Sequence, residues 1–332
     1  MFELLGICLL LAALLTFNSL ATLATAGLWR VFGSGTRRWS AMARARLIFI
    51  LRVLPAAIAI LFVLLLIVPS YLAYEPRHGV EDVSLKLALL ALASAIGIVL
   101  AFERGLAAWR VTKRLTADWI IQSQSISIPG ISIPTYRIEH YFPLIAIVGV
   151  IRPQLFIARQ VLELLTADEI SAALSHETGH LTARDNMKRG LLRACRDSLL
   201  IFPCGRSLDH DWAEAAEEAA DEQAAQAGKG VALDLASALV KIARIVPQGA
   251  RPTMPAGVFL LGDGRGLKWR VRQLVSLAAA EVKPGARSQH TMHLIAGLLA
   301  LSFVGGFVFL STYHPILGSI HSLIEYAVAA LR

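Results

Sequence analysis

Residues 166–185 read TADEISAALSHETGHLTARD. Thr166, with Glu169 three residues on, is the pattern of a capping box, so the sequence predicts a helix that starts here. Ile170, Ala173, Leu174 and Leu181 give that helix an apolar face. His176 and His180 stand four apart, so they leave the helix on the same side, one turn from each other. Two imidazoles placed this way can reach one zinc ion at about 2.0–2.1 Å. Glu177 lies one step round, beside the open coordination position, where it can take a proton from a zinc-bound water. A structural zinc, or a plain histidine pair on a helix surface, needs no glutamate there; a hydrolase does.

Two histidines leave a catalytic zinc site one protein ligand short. The next acidic stretch is DWAEAAEEAADEQAAQAG, residues 211–228. Asp211 is read as its N-cap, Glu214 as the capping-box partner and Gly228 as the stop. Glu214, Glu217, Glu218 and Asp221 share one broad face, and the alanines between them allow close packing. Geometry alone leaves Glu214, Glu217 and Glu218 open as the third ligand.

This site is embedded in an apolar chain. Of 332 residues 56% are hydrophobic and mean hydropathy is +0.60, too apolar for an ordinary soluble domain. A membrane span needs about 20 apolar residues. Four segments qualify: Leu4–Leu28, Leu47–Leu72, Val83–Phe102 and Met292–Tyr313. The first lacks the short apolar region and small-residue cleavage site of a signal peptide and is kept as a span. Arg52, near one end of the second, is read as snorkelling to the headgroups. Arg30, Arg37, Arg38, Arg44 and Arg46 follow the first span, and Arg104, Arg110, Lys113 and Arg114 follow the third. The loop between, EPRHGVED, sets one arginine against Glu75, Glu81 and Asp82. Basic loops stay in the cytoplasm. The N-terminus is therefore expected outside and residues 104–290 inside. Residues 314–332 are expected as a short external amphipathic helix lying in the interface. The net charge of +8 is thus loop charge rather than a nucleic-acid surface. Cys8, Cys195 and Cys204 fit neither a zinc ribbon nor a disulfide framework and are read as reduced thiols.

Between the third and fourth spans the pattern is mixed. IIQSQSISIPGISIPTY, residues 120–136, reads as strand, turn, strand. PLIAIVGVIRPQLFIA, residues 143–158, is a second strand region, in which Pro153 argues for an edge or a hairpin. His210 is a weak candidate for oxyanion donation. GDGRG at 262–266 lacks the Lys-Ser/Thr of a phosphate loop and reads as a turn. VPQGARPTMPAGVF at 246–259 reads as a mobile connector or lid. GLKWRVRQLV at 266–275 reads as a basic helix that rests on headgroups or packs on the catalytic region.

LSHETGHLTARD followed by EEAAD, with VGVIRPQLFIARQVLELL before it, resembles the integral-membrane metallopeptidases of the BlaR/MecR sensor-transducer type. The resemblance covers most of residues 1–312, and its specific motifs lie in 144–222, Gly149, Arg152 and Pro153 among them. It implies that Glu217, four residues before Asp221, is the third zinc ligand, and that Asp221 orients a ligand histidine through its other ring nitrogen. Asp185 would hold the loop after the zinc helix, or is a plain turn residue. The fold class implied is a multi-span α-helical membrane protein, with about four transmembrane helices and a cytoplasmic α+β zincin-like metalloprotease domain. The implied activity is that of a zinc metalloendopeptidase in the bacterial cytoplasmic membrane, holding one Zn2+ per chain. Its partners are the lipid bilayer and a protein or peptide substrate, such as a transcriptional repressor, with no direct nucleic-acid contact. Substrate is expected to lie extended along an edge strand near residues 144–158. Unlike in that family, no penicillin-binding domain is expected after the fourth span, where residues 314–332 follow. HtpX-type and CAAX-prenyl-protease-type peptidases of quality control or processing share the zinc signature. A non-catalytic scaffold with a structural zinc is the non-enzyme alternative.

Overall fold

The computed structural model describes residues 2–77, 83–199, 205–246, 266–279 and 289–331. Helix α1 (Phe2–Phe32) runs into a 3-10 turn, Gly33–Arg38. Ser40 then caps α2 (Ala41–Phe62) by accepting from the Ala43 amide. A π-helical turn, Val63–Ile67, joins α2 to α3 (Val68–Tyr74). Pro69 explains the widened turn, since it has no N–H to give to the carbonyl one turn back. Ser84 caps α4 (Leu85–Ile121). Three helical stretches, Phe2–Arg38, Ala41–Tyr74 and Leu85–Ile121, are long and apolar enough to cross a membrane. At about 1.5 Å per residue the 37 residues of α4 span about 55 Å, well beyond the ~30 Å hydrocarbon core. The helix therefore outruns the expected Val83–Phe102 span, and its far end reaches the sheet.

The sheet has four strands, β1 (Gln124–Ile126), β2 (Thr135–Ile138), β3 (Ile145–Val148) and β4 (Gln154–Ala158), in the order β1-β2-β4-β3. β1 and β2 are antiparallel, β2 and β4 parallel, β3 and β4 antiparallel. The strand–turn–strand reading of 120–136 holds at the Pro129–Gly130 turn, although the second strand starts only at Thr135. Gly149, at φ 103°, turns β3 into β4; a Cβ there would meet the Arg152 carbonyl at 2.8 Å. Pro153 sits in this hairpin just ahead of β4, so the ladder never asks for its missing N–H. β4 is accordingly a central strand and β3 the edge.

Helices α5 (Arg159–Leu164), α6 (Ala167–Ala183), α7 (Asp185–Asp197), α8 (Arg206–Ala225), α9 (Lys229–Ile245) and α10 (Leu267–Ala279) follow. The core is apolar and continuous from the sheet into the helices: Ile145, Phe156, Ile157, Val161, Ala173, Leu235, Leu239 and Leu274 are almost wholly buried. α6 begins at the predicted capping box, with Thr166 Oγ1 accepting from the Glu169 amide and Glu169 Oε2 accepting from the Thr166 amide. α8 begins five residues before the expected N-cap, so Asp211 lies inside it. The reason is burial: Leu208 and Trp212 pack with Ala45 and Ile48 of α2, which extends the helix backwards.

Arg52 corrects the sequence reading in the same region. It is 2% exposed and its Nε donates to Asp209 Oδ1 of α8 at 2.9 Å, so it turns inward rather than snorkelling to headgroups. At the other end of the chain, α11 (Gln289–Thr312) and α12 (His314–Leu331) meet at a bend of 83° and together meet the test for a further, broken span. The expected amphipathic tail helix forms, and packs Ile324 and Val328 against Leu9, Val63, Ile67 and Tyr71. Most of the 246–259 connector and of GDGRG, as well as Cys204, lies outside the described residues.

The capping box does more than start α6. Burial works against the charged form of Glu169, but the Lys241 ammonium, the Ser237 hydroxyl and the Thr166 amide outweigh it and hold the carboxyl at about 2. The folded-state value lies below the ordinary one, so the contribution is full above about pH 4.5 and is lost as pH falls towards 2. It amounts to at most about 3 kcal/mol. Glu169→Gln should therefore lower stability by about 1–3 kcal/mol at pH 7. The gap to wild type should close on acidification, as followed by unfolding in detergent.

Candidate metal centre

His176 and His180 lie in the second half of α6, 0% and 3% exposed. Their Nε2 atoms stand 3.2 Å apart, with the rings edge to face. α8 crosses here at small residues: a Cβ on Gly179 would lie 3.2 Å from the Ala220 Cα. That close approach carries Glu217 into the site, with Oε2 3.7 Å from His176 Nε2 and Oε1 3.6 Å from His180 Nε2. The other acidic candidates go elsewhere. Glu218 turns to Arg44 of α2 at 3.1 Å, and Glu214 lies 3.6 Å from His210, whose side chain is 61% exposed. The expected shared face is thus divided, and the structure does not bring Glu214, Glu218 or His210 into the site.

Each imidazole meets a carboxylate on its far side. His176 Nδ1 is 2.8 Å from Asp221 Oδ1, close but off the line of the ring N–H. His180 Nδ1 is 2.8 Å from Asp185 Oδ2, well placed for a hydrogen bond. Asp185, which the sequence left open as a plain turn residue, is 3% exposed and stands to His180 as Asp221 stands to His176. Its position follows from Arg184, whose left-handed conformation (φ 56°) ends α6 and starts α7 within one residue. With Nδ1 facing a carboxylate, Nε2 is left as the lone-pair nitrogen and faces the shared point.

Two arginines that meet the site were missed in the sequence. Arg270 on α10, 5% exposed, donates through Nε and Nη2 to Asp221 at 2.9 and 2.6 Å and lies 3.3 Å from Glu217 Oε2. The basic run at 266–275 therefore packs on the catalytic region through a buried arginine. Arg189 of α7 also reaches Glu217, at 3.3 Å. Glu177 is 1% exposed, and no side chain among the described residues hydrogen-bonds to either of its carboxylate oxygens. A cavity of about 40 Å³ reaches it, walled by Ile131, Ile133, Ile147, Leu155, Leu174 and Leu181. That is room for a water, which needs about 10–15 Å³ of such volume.

The electrostatics follow from burial. Desolvation, joined by the negative charge of Glu217, pushes Glu177 up to about 8. Burial lowers His176 below the usual histidine range. For His180 burial acts in the same direction, but Glu217, Asp185 and Glu177 outweigh it and raise the imidazole to about 10. Glu217 is held well below the usual carboxylate range, against its burial, by His180, Arg270 and His176. The carboxylates around His180 thus favour its protonated form until a cation competes for Nε2.

The donor set fits zinc: two lone-pair imidazole nitrogens and one ionised carboxylate oxygen, all within 4.8 Å of one another. Zinc should displace the His180 proton, so binding near pH 7 should release about one proton and strengthen as pH rises towards 10. Calorimetry in buffers of different ionisation enthalpy measures this. Metal content should be lost in His176→Ala, His180→Ala and Glu217→Gln, and kept in Glu214→Gln. Arg270→Ala leaves Asp221 buried without its cation and should cost roughly 3–5 kcal/mol of stability.

No curated protein matches this chain. Residues 147–248, which hold both histidines, Glu177, Asp185, Glu217 and Asp221, match Peptidase family M48. That match to a family of zinc metallopeptidases marks the chain as a metallopeptidase, a hydrolase of peptide bonds.

Proposed function

We propose that the chain is a membrane-anchored zinc endopeptidase that cuts cytoplasmic or membrane-proximal proteins in regulated proteolysis. The observation that carries this reading is the convergence of His176, His180 and Glu217 on one point, with the buried Glu177 carboxylate beside it. His176, His180 and Glu217 would hold the metal, and Asp221 and Asp185 would fix the two rings. Zinc supplies Lewis acidity towards a water and the substrate carbonyl. Glu177 takes a proton from the attacking water and returns it to the leaving amine.

An extended substrate would run along β3, the sheet edge beside α6. There the Asn186 Nδ2 donates to the carbonyls of Ile147 and Gly149, at 2.9 and 3.2 Å. It stands where the amide of a peptide strand would stand. Cleavage on the cytoplasmic side follows from the arginines of the first loop and the basic residues after residue 103. Regulated proteolysis rests on the sequence resemblance of residues 144–222 to the sensor-transducer peptidases, and not on the match to Peptidase family M48.

Glu177→Gln should retain zinc and lose proteolysis by about 10²-fold or more, since the amide accepts no proton from water. A Glu177→Gln protein that still cleaves a casein or peptide substrate would remove the base from this mechanism. For the sidedness, the native cysteines are replaced and single ones introduced at the exposed positions Lys229 and Ser322. An impermeant thiol reagent on intact cells should label Ser322→Cys and spare Lys229→Cys. The reverse pattern would place the catalytic region outside.

A further inference from the structure

We propose that Arg44 and Arg52 of α2 are positioning residues for the metal centre: by gripping the back of α8 they set where Glu217 stands. The inference rests on the reading of His176, His180 and Glu217 as the metal-holding set.

The argument starts from the order of acids on α8. Glu217 faces the histidines and its neighbour Glu218 faces Arg44. One turn later Asp221 faces His176 and its neighbour Glu222 accepts from the amide of Ala41, at 3.0 Å. A step of one residue turns a helix by about 100°, so each adjacent pair serves two surfaces. The first member of each pair enters the site, and the second is held by the start of α2. Upstream, Asp211 Oδ2 accepts from Trp29 Nε1 of α1 at 2.6 Å, and Asp209 Oδ1 from Arg52 Nε at 2.9 Å. Between these polar contacts Leu208, Trp212, Ala215 and Ala216 pack on Ala26, Ala45 and Ile48. The back of α8 is thus tied to the first two spans over four turns, from Asp209 to Glu222.

The ties are buried, so they have direction. Arg52 is 2% exposed, and the side chains of Arg44 and Glu218 are 11% and 7% exposed. A buried charge stripped of its partner either drags the backbone towards another partner or lets in water. Glu217 is one residue from Glu218, so a shift of α8 that relieves Glu218 moves Glu217 as well. His176 and His180 lie on α6, which is fixed on the sheet and α9 by other contacts. Loss of the span contact therefore moves one metal-holding residue relative to the other two.

The test uses full-length protein in detergent. Wild type, Arg44→Ala, Arg44→Lys, Glu218→Gln and Arg52→Lys are loaded with zinc for affinity and with cobalt for the visible absorption of the site. Arg44→Ala and Glu218→Gln should keep one metal at saturation, weaken zinc binding about 10–100-fold and change the cobalt spectrum. Arg44→Lys should restore most of both, since it returns a cation to Glu218. Arg52→Lys should weaken binding, because a point charge replaces a planar donor in a closely packed place. If Arg44→Ala does not fold, the near-isosteric Glu218→Gln decides alone. Wild-type affinity and an unchanged cobalt spectrum in Glu218→Gln and Arg44→Ala would overturn the proposal. Absence of a cobalt signal from wild type would overturn the metal reading itself, and the positioning role with it.

Discussion

Four carboxylates, Glu177, Asp185, Glu217 and Asp221, lie within one buried region and are at most 4% exposed. Buried charge has to be matched by opposite charge and hydrogen bonds, or be neutralised. Much of the catalytic region can be understood as the set of elements that meets this demand. Arg270 comes in on α10 for Asp221 and Glu217, Lys188 on α7 for Asp185, and Arg189 on α7 for Glu217. Glu177 has no such cationic partner among the described residues, and its burial favours the protonated form, while the carboxylates around His180 favour the imidazolium. A divalent ion held by the Nε2 atoms and Glu217 would replace that proton with a larger and fixed charge.

The demand also explains why the helices lie where they do. α6 and α8 have to approach closely enough for a carboxylate to meet two rings, and Gly179 against Ala220 permits it. The alanines of α8 then serve both sides, facing α6 at Ala220 and the spans at Ala215 and Ala216. A helix with large apolar side chains on both faces would hold α6 and α2 further apart and leave Glu217 short of the histidines. α10 is bound to α9 along an apolar side, and Leu274, fully buried, sits one turn after Arg270. The arginine is thus anchored by packing before it meets any charge.

What could be read in the sequence was local. The capping box at Thr166, the shared side of His176 and His180, and the hairpin around Gly149 each depend on residues within a few positions of one another. What could not be read depends on partners far along the chain. Nothing near Arg52 announces Asp209, and nothing near Arg270 announces Asp221. Both arginines look like ordinary membrane-proximal cations until the tertiary contact is made. Asp211 has the composition of an N-cap, but burial of Leu208 and Trp212 prolongs the helix past it, and Trp29 takes its carboxylate. The glutamates of α8 look like one acidic face because their spread is only a little over a quarter of the helix circumference. That spread suffices to divide them between the histidines and the second span.

The turn Arg184–Asp185–Asn186 draws the remaining parts together. Arg184 ends α6 and starts α7, Asp185 holds the Nδ1 side of His180, and Asn186 holds the edge of β3 at Ile147 and Gly149. Three consecutive residues thus touch α6, a candidate ligand and the strand on which a substrate would lie. A peptide pairing with β3 at Ile147 competes for the carbonyl that Asn186 now occupies. If it wins, Asn186 is released while Asp185, one residue away, remains bound to His180 and Lys188. The two bonds on Asp185 oppose any pull that reaches it through the backbone. The ring of His180 then keeps its orientation while the strand edge opens, as a site requires if it is to admit a peptide and keep its metal geometry.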